Sequence, residues 1–130
     1  MQLQISTADG IPIYQQIVNQ VRHLIAAGRL QPGEELPPIR VLAEQLTVNP
    51  NTVARAYLEL EHAGIVTKRH GSGTYVSETR RPLPQREKTK ILAKRVDALL
   101  TEASHLDIEL SEVIKLLRDR DGVMKAEIQK

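Results

Sequence analysis

From Pro12 onward, apolar residues recur at three- and four-residue steps: Tyr14, Ile17, Val18, Val21, Leu24 and Ile25, with Gln15, Gln16, Asn19, Gln20, Arg22 and His23 between them. This spacing predicts an amphipathic first helix. Pro12 suits its first turn, where a missing N–H loses no bond, and Gly28 suits the left-handed residue that closes it. Leu30-Gln31-Pro32-Gly33 predicts a turn. Ile39, Leu42, Ala43 and Leu46 form the stripe of a short second helix, which Pro37 and Pro38 precede or open. Thr47-Val48 is its exit turn. Asn49-Pro50 then starts a third helix, because Asn accepts a bond from an unpaired N–H while Pro fills the next position.

The third helix runs to about His62, with Gly64 ending it. Val53, Ala56, Tyr57 and Leu60 point inward; Asn51, Arg55, Glu59 and His62 lie opposite, with Thr52 at the flank. Leu58 falls nearer the polar side and does not fit the stripe. Two β-branched-rich runs follow, residues 65–69 and 74–76, joined by His70-Gly71-Ser72-Gly73, and predict a β-hairpin. A hairpin this short is marginal alone, so its apolar face must pack on the helices. Two helices joined by a tight turn, the second opening on short polar side chains, is the arrangement that lets a helix N-terminus enter a major groove.

Arg80-Arg81-Pro82-Leu83-Pro84 reads as an extended linker, because each proline keeps the residue before it out of the helical region. The expected division is therefore a winged helix-turn-helix domain over residues 1–79, then a linker and two helices over 80–130. Ile91, Leu92, Val96, Leu99, Leu100 and Ala103 make one further helical stripe, and Val113, Ile114 and Leu117 another on a shorter helix between Ser104 and Gly122. The chain has too few neighbours to cover both stripes. Leu92, Val96, Leu99, Leu100, Val113, Ile114 and Leu117 are thus expected to meet a second copy of the chain. The fold class expected is mainly α with a small β-hairpin, a winged helix-turn-helix followed by a two-helix dimerisation appendage.

Composition narrows the picture only slightly. At 130 residues there is room for one ordinary domain and an appendage, and 41% hydrophobic with 26% charged residues supports a packed core. The absence of cysteine removes disulfides and thiolate metal sites. The first ten residues lack a basic stretch followed by an apolar one, and no run nears the ~18 apolar residues of a membrane span, so a soluble cytoplasmic protein without membrane partners is expected. The formal charge of +2 is unevenly spread. Residues 1–79 hold 6 Lys and Arg against 7 Asp and Glu, whereas residues 80–95 hold seven basic residues against Glu87 alone.

Pro12 to Val76 resembles the N-terminal domain of the GntR family of bacterial transcription regulators. The shared signature is Leu36-Pro37-x-x-Arg40-x-Leu42-Ala43, then Thr52-Val53-x-x-Ala56-Tyr57-x-x-Leu60-Glu61-x-x-Gly64, then Gly71-x-Gly73-Thr74-Tyr75-Val76. The short C-terminal helices resemble the YtrA subfamily, in which a small dimerisation appendage replaces a large effector-binding domain. The resemblance implies sequence-specific binding of double-stranded operator DNA by a homodimer, as a repressor by default. It also implies that Arg40, Asn51, Thr52, Arg55, His70 and Gly71 occupy positions the family uses against DNA. Many members carry Ser where this chain has Pro38, and Ser-Arg where it has Asn49-Pro50. A frequent base-reading arginine is therefore absent.

Each of these residues also has a plainer explanation. Arg40 is either a phosphate or guanine contact or a solvated charge at a helix start. Asn51 and Thr52 either meet base edges and phosphates or bond their own backbone. Arg55 either reaches the groove or pairs with Glu59 one turn on. His70 and Gly71 suit a wing tip in a minor groove and equally a plain turn. Arg69, with Lys68, is either a phosphate contact or a solvated charge, and Arg80 and Arg81 are expected to be solvated linker residues.

Enzyme chemistry finds no support. His23, His62, His70 and His105 lack ligand spacing, and no nucleophile elbow, phosphate loop or paired-acid motif occurs. No cofactor is expected, and a small-molecule effector is left open. The competing expectation is a winged helix that binds only protein, which the near-neutral charge of residues 1–79 favours.

Overall fold

The computed structural model describes residues 1–8, 10–69 and 71–128. The chain divides into two compact units, Met1–Pro84 and Gln85–Lys130.

The first unit is built on α1 (Ile13–Ala26), α2 (Ile39–Leu46) and α3 (Pro50–His62), followed by β1 (Val66–Lys68) and β2 (Thr74–Val76). Ile17, Val21, Leu42, Val53 and Leu60 are fully enclosed in its core, together with Leu36, Val66 and Val76. Tyr14 and Leu24 of the first stripe are only partly buried at its edge. Pro12 lies one residue ahead of α1 with an extended ψ of 142°, so it precedes the helix and its C=O accepts from Gln16 N–H at 3.1 Å.

Gln16, assigned by its polarity to the solvent face, is buried instead. Its Nε2 donates to the carbonyls of Ser6 (2.7 Å) and Ile11 (2.8 Å), while its Oε1 accepts from Ser6 N–H at 2.8 Å. One turn later Gln20 repeats the device, accepting from Gln4 N–H (2.9 Å) and donating to Gln4 C=O (2.6 Å). The two carboxamides substitute for a neighbouring strand. They hold the first residues against α1, where Met1, Leu3 and Ile5 pack on the core.

α2 ends at Thr47, whose φ of 56° and ψ of 50° are left-handed, and Val48 N–H returns to Ala43 C=O at 3.0 Å. That reversal sends the chain into α3 across a three-residue turn. Asn49 caps α3 through its side chain, which accepts from Asn51 N–H at 2.8 Å, and Pro50 follows as expected. Leu58 is exposed, in keeping with its poor fit to the stripe.

The hairpin is antiparallel, pairing Val66 with Val76, Thr67 with Tyr75 and Lys68 with Thr74. A stretch that the sequence marked only as a turn and helix approach lies along its other edge. Gly33 N–H donates to Val76 C=O, Val76 N–H to Glu34 C=O and Leu36 N–H to Thr74 C=O, each at 2.8 Å. Pairing on both sides of β2 anchors a ribbon too short to hold itself.

The residues expected to form an extended linker are hydrogen-bonded to the first unit. Leu83 N–H donates to Ala26 C=O at 2.8 Å, Arg80 Nη2 to Ala63 C=O at 3.3 Å, and Arg81 Nη1 to Glu78 C=O at 2.6 Å. Arg80 is only half-exposed and places its cation at the C-terminal end of α3, where helical carbonyls are unpaired. Pro82 packs where a side chain at Gly28 would stand, a position whose φ of 77° itself suits glycine.

The second unit is α4 (Gln85–His105) and α5 (Leu110–Ile128). They are joined by a tight reversal in which Asp107 is left-handed and Ile108 N–H bonds Ala103 C=O at 2.8 Å. α5 begins at Leu110 and passes through Gly122 to Ile128, longer than the helix expected to stop at that glycine. One glycine in a helix interior costs about 1 kcal/mol, and here Lys125 pairs across it with Asp121 at 2.9 Å.

Candidate nucleic-acid interface

α3 is held by its inner face and leaves its first turns open. Asn51 and Arg55 are exposed and Thr52 is half-buried, while Val53, Ala56 and Tyr57 are buried beneath them. Asn51 N–H is satisfied by the Asn49 cap and Thr52 N–H bonds Asn49 C=O at 2.9 Å.

Arg55 does not pair with Glu59. Its guanidinium carbon lies over the ring of Tyr14, 3.7 Å from the centroid. An arginine stacked this way keeps its rim of N–H donors for a partner in the ring plane, and the ring limits its rotamers. Tyr14, which periodicity assigned to the core, is thus partly buried at its edge and carries the Arg55 guanidinium.

Tyr57 fixes the angle between the two helices. Its hydroxyl donates to Pro37 C=O at 2.7 Å, fastening the entrance of α2 to the middle of α3, and burial pushes its ionisation well above the ordinary tyrosine range. The neutral form is favoured in the folded protein, so stability is intact below about pH 10 and falls as pH rises beyond it, where the unfolded chain ionises first. Tyr57→Phe is expected to lower stability by about 1 kcal/mol and to flatten that alkaline decline. Thermal melts at neutral pH and above pH 10 measure both effects.

Arg40 is exposed in the first turn of α2, and no salt bridge to it is found among the described residues. A cation there opposes the positive end of the helix dipole. Exposure without an internal partner is common to both expectations for Arg40, a DNA contact and a solvated charge at a helix start.

On the wing, Arg69 stacks over Tyr75 at 4.1 Å and reaches Glu78 Oε1 at 3.3 Å, while Tyr75 shares a 2.6 Å hydrogen bond with Ser72 Oγ. Lys68 stands 3.9 Å from Glu61 Oε2. Both cations thus have carboxylate neighbours within the chain and remain exposed to solvent. Gly71 is exposed with φ of 73°, inside a turn closed by Ser72 N–H to Arg69 C=O at 2.9 Å. His70 lies outside the described residues.

In the second unit, Leu92, Val96, Leu100, Ile114 and Leu117 are exposed and Leu99 is half-buried. Val113 differs: only 4% of it is accessible, so it belongs to the contact between α4 and α5 and offers no surface. An apolar cleft of about 340 Å³ opens beside it, lined by Leu99, Leu106, Leu116 and Leu117. Leu106 and Leu116 carry this surface beyond the stripes recognised in the sequence. No helix among the described residues is long and apolar enough to cross a membrane.

Comparison with known proteins places these features. The family described as "Bacterial regulatory proteins, gntR family" matches residues 13–76. The chain is 34% identical to the HTH-type transcriptional repressor YtrA of Bacillus subtilis (strain 168), over 95% of each chain. It is similar in structure to YtrA from Sulfolobus acidocaldarius, a GntR-family transcription factor, with 35% identity, a TM-score of 0.54, and coverage of 74% of this chain and 97% of that one. The chain also resembles the AraR DNA-binding domain solved in complex with operator ORE1, with 25% identity, a TM-score of 0.50, and coverage of 59% of this chain and 94% of that one. The winged unit and the helical pair together make this chain a member of the GntR family of DNA-binding transcription regulators.

Proposed function

We propose that the chain is a cytoplasmic repressor that binds an inverted-repeat operator as a homodimer. The first unit engages DNA and the second joins the protomers, setting two α3 helices in successive major grooves roughly 34–36 Å apart. Arg40, Asn51, Thr52 and Arg55 contact bases or phosphates, and Arg69, His70 and Gly71 bring the wing to the backbone or minor groove.

The observation that carries this reading is the distribution of exposed apolar surface. Of thirteen large hydrophobic residues exposed among the described residues, eleven lie in the second unit, and only Val41 and Leu58 in the first. Surface so concentrated on a 46-residue helical pair is what self-association would cover. The repressor role is supported by the name of the Bacillus subtilis relative, a transcriptional repressor of nearly the same length. A small-molecule effector, where one exists, acts by binding one geometry of the dimer more tightly than another.

Gel retardation and footprinting on DNA recovered by selection from genomic fragments test the reading. Protection of two half-sites one helical turn apart is expected. Arg55→Ala is expected to weaken operator binding by about 1–3 kcal/mol. Loss of the Tyr14 stack costs no more than about 1 kcal/mol of stability. A lowered melting temperature with unchanged affinity would assign Arg55 to the fold alone. The near balance of charge over residues 1–79 favours a second reading, a winged helix that binds only protein, and affinity for duplex that does not fall with salt would select it.

A further inference from the structure

We propose that the first three turns of α4 are a second, sequence-independent DNA-contacting surface, with duplex phosphates as its partner. This rests on the DNA-binding reading above and adds a site outside the winged unit.

The chain's basic character is confined to one place. Residues 1–79 carry one more carboxylate than cations, and residues 96–130 hold five Lys and Arg against eight Asp and Glu. Residues 80–95 hold seven cations and the single carboxylate Glu87. Within α4 the change is abrupt, because residues 96–105 contain Asp97 and Glu102 and no Lys or Arg. α5 carries equal numbers of acids and bases and offers no comparable stripe.

The cations are also ordered on the helix. Arg86, Lys90 and Lys94 follow at four-residue steps, so they share one face with about 6 Å of rise between neighbours. All three are exposed, and among the described residues the only carboxylate paired with the stripe is Glu87, 3.5 Å from Lys90. Leu92, Val96 and Leu99 point to the opposite side at helical spacing, so the stripe is free when the apolar side is covered by a second copy.

Phosphate neutralisation supplies most non-specific affinity for DNA, and the winged unit has no surplus charge to supply it. A solvated helix face would need no such segregation of sign. The stripe also begins two residues after Pro84, where the unit that carries α3 ends, so it is tethered by a short length of chain to the winged unit of each protomer.

The test uses the full chain and a random-sequence duplex about three helical turns long, titrated at several salt concentrations. Arg86→Gln, Lys90→Gln and Lys94→Gln combined should weaken binding roughly tenfold or more at low salt, and flatten log affinity against log salt by about 0.9 for each phosphate no longer neutralised. Gln keeps helix propensity, so helical content should not change. A control triple, Lys115→Gln, Arg118→Gln and Lys125→Gln on α5, removes equal charge and should leave the slope as in the wild type.

Equal effects of the two triples would reduce the stripe to net charge and overturn the proposal. So would an unchanged slope in the α4 triple, with the DNA-binding reading intact because the wild type still binds. A shift in particle mass of the α4 triple by light scattering would place the stripe in self-association and also overturn it. If the wild type itself fails to bind duplex, the underlying reading falls first and the inference with it.

Discussion

Leu117→Asp is expected to yield a folded protein that sediments as single protomers and binds operator roughly 10²–10⁴-fold more weakly. In the isolated protomer Leu117 is 53% accessible, so a carboxylate there stays hydrated and the fold is not penalised. At an interface the same carboxylate would be desolvated without a partner, at a cost of several kcal/mol, enough to separate the copies. Operator affinity then falls because two linked half-site contacts become two independent ones, and linkage commonly accounts for that factor. Sedimentation and gel retardation on the same sample check both parts. A variant that remains dimeric would move the interface away from α5, and one that is monomeric yet binds with full affinity would end the two-fold reading.

The second large effect separates neighbours on one helix. Leu60→Ala is expected to destabilise the first unit by about 2–5 kcal/mol, since Leu60 is 0% accessible and its loss leaves a cavity in the α3 core. Against a typical domain stability of about 5–15 kcal/mol this unfolds a large share of molecules at growth temperature. Leu58→Ala, two residues earlier and 46% exposed, should cost under about 0.5 kcal/mol. Urea titration of the two variants gives the difference in midpoint directly. Similar losses at both positions would mean that the face of α3 presented outward is misassigned, and Asn51 and Arg55 would leave the candidate interface with it.

What could be read from the chain was whatever depends on spacing along one helix or on a residue's own backbone preference. Val53, Ala56, Tyr57 and Leu60 declare the inner face of α3 by their separation alone, and Asn49-Pro50 declares its start, because a cap acts within a single turn. The family signature from Leu36 to Val76 is a chain of such local requirements, which is why it reveals fold and class without coordinates.

What only the tertiary structure decided are pairings between positions far apart. Gln16 reads as solvent-facing until the carbonyls of Ser6 and Ile11 are brought to it. Arg55 has Glu59 at helical spacing, yet the ring of Tyr14 on another helix takes it. Arg80, in a proline-rich stretch with every mark of an extended linker, donates to the end of α3. A polar side chain carries no period that identifies its partner. It goes where packing of the apolar stripes leaves an unpaired donor, acceptor or ring, and that place exists only once the helices have crossed.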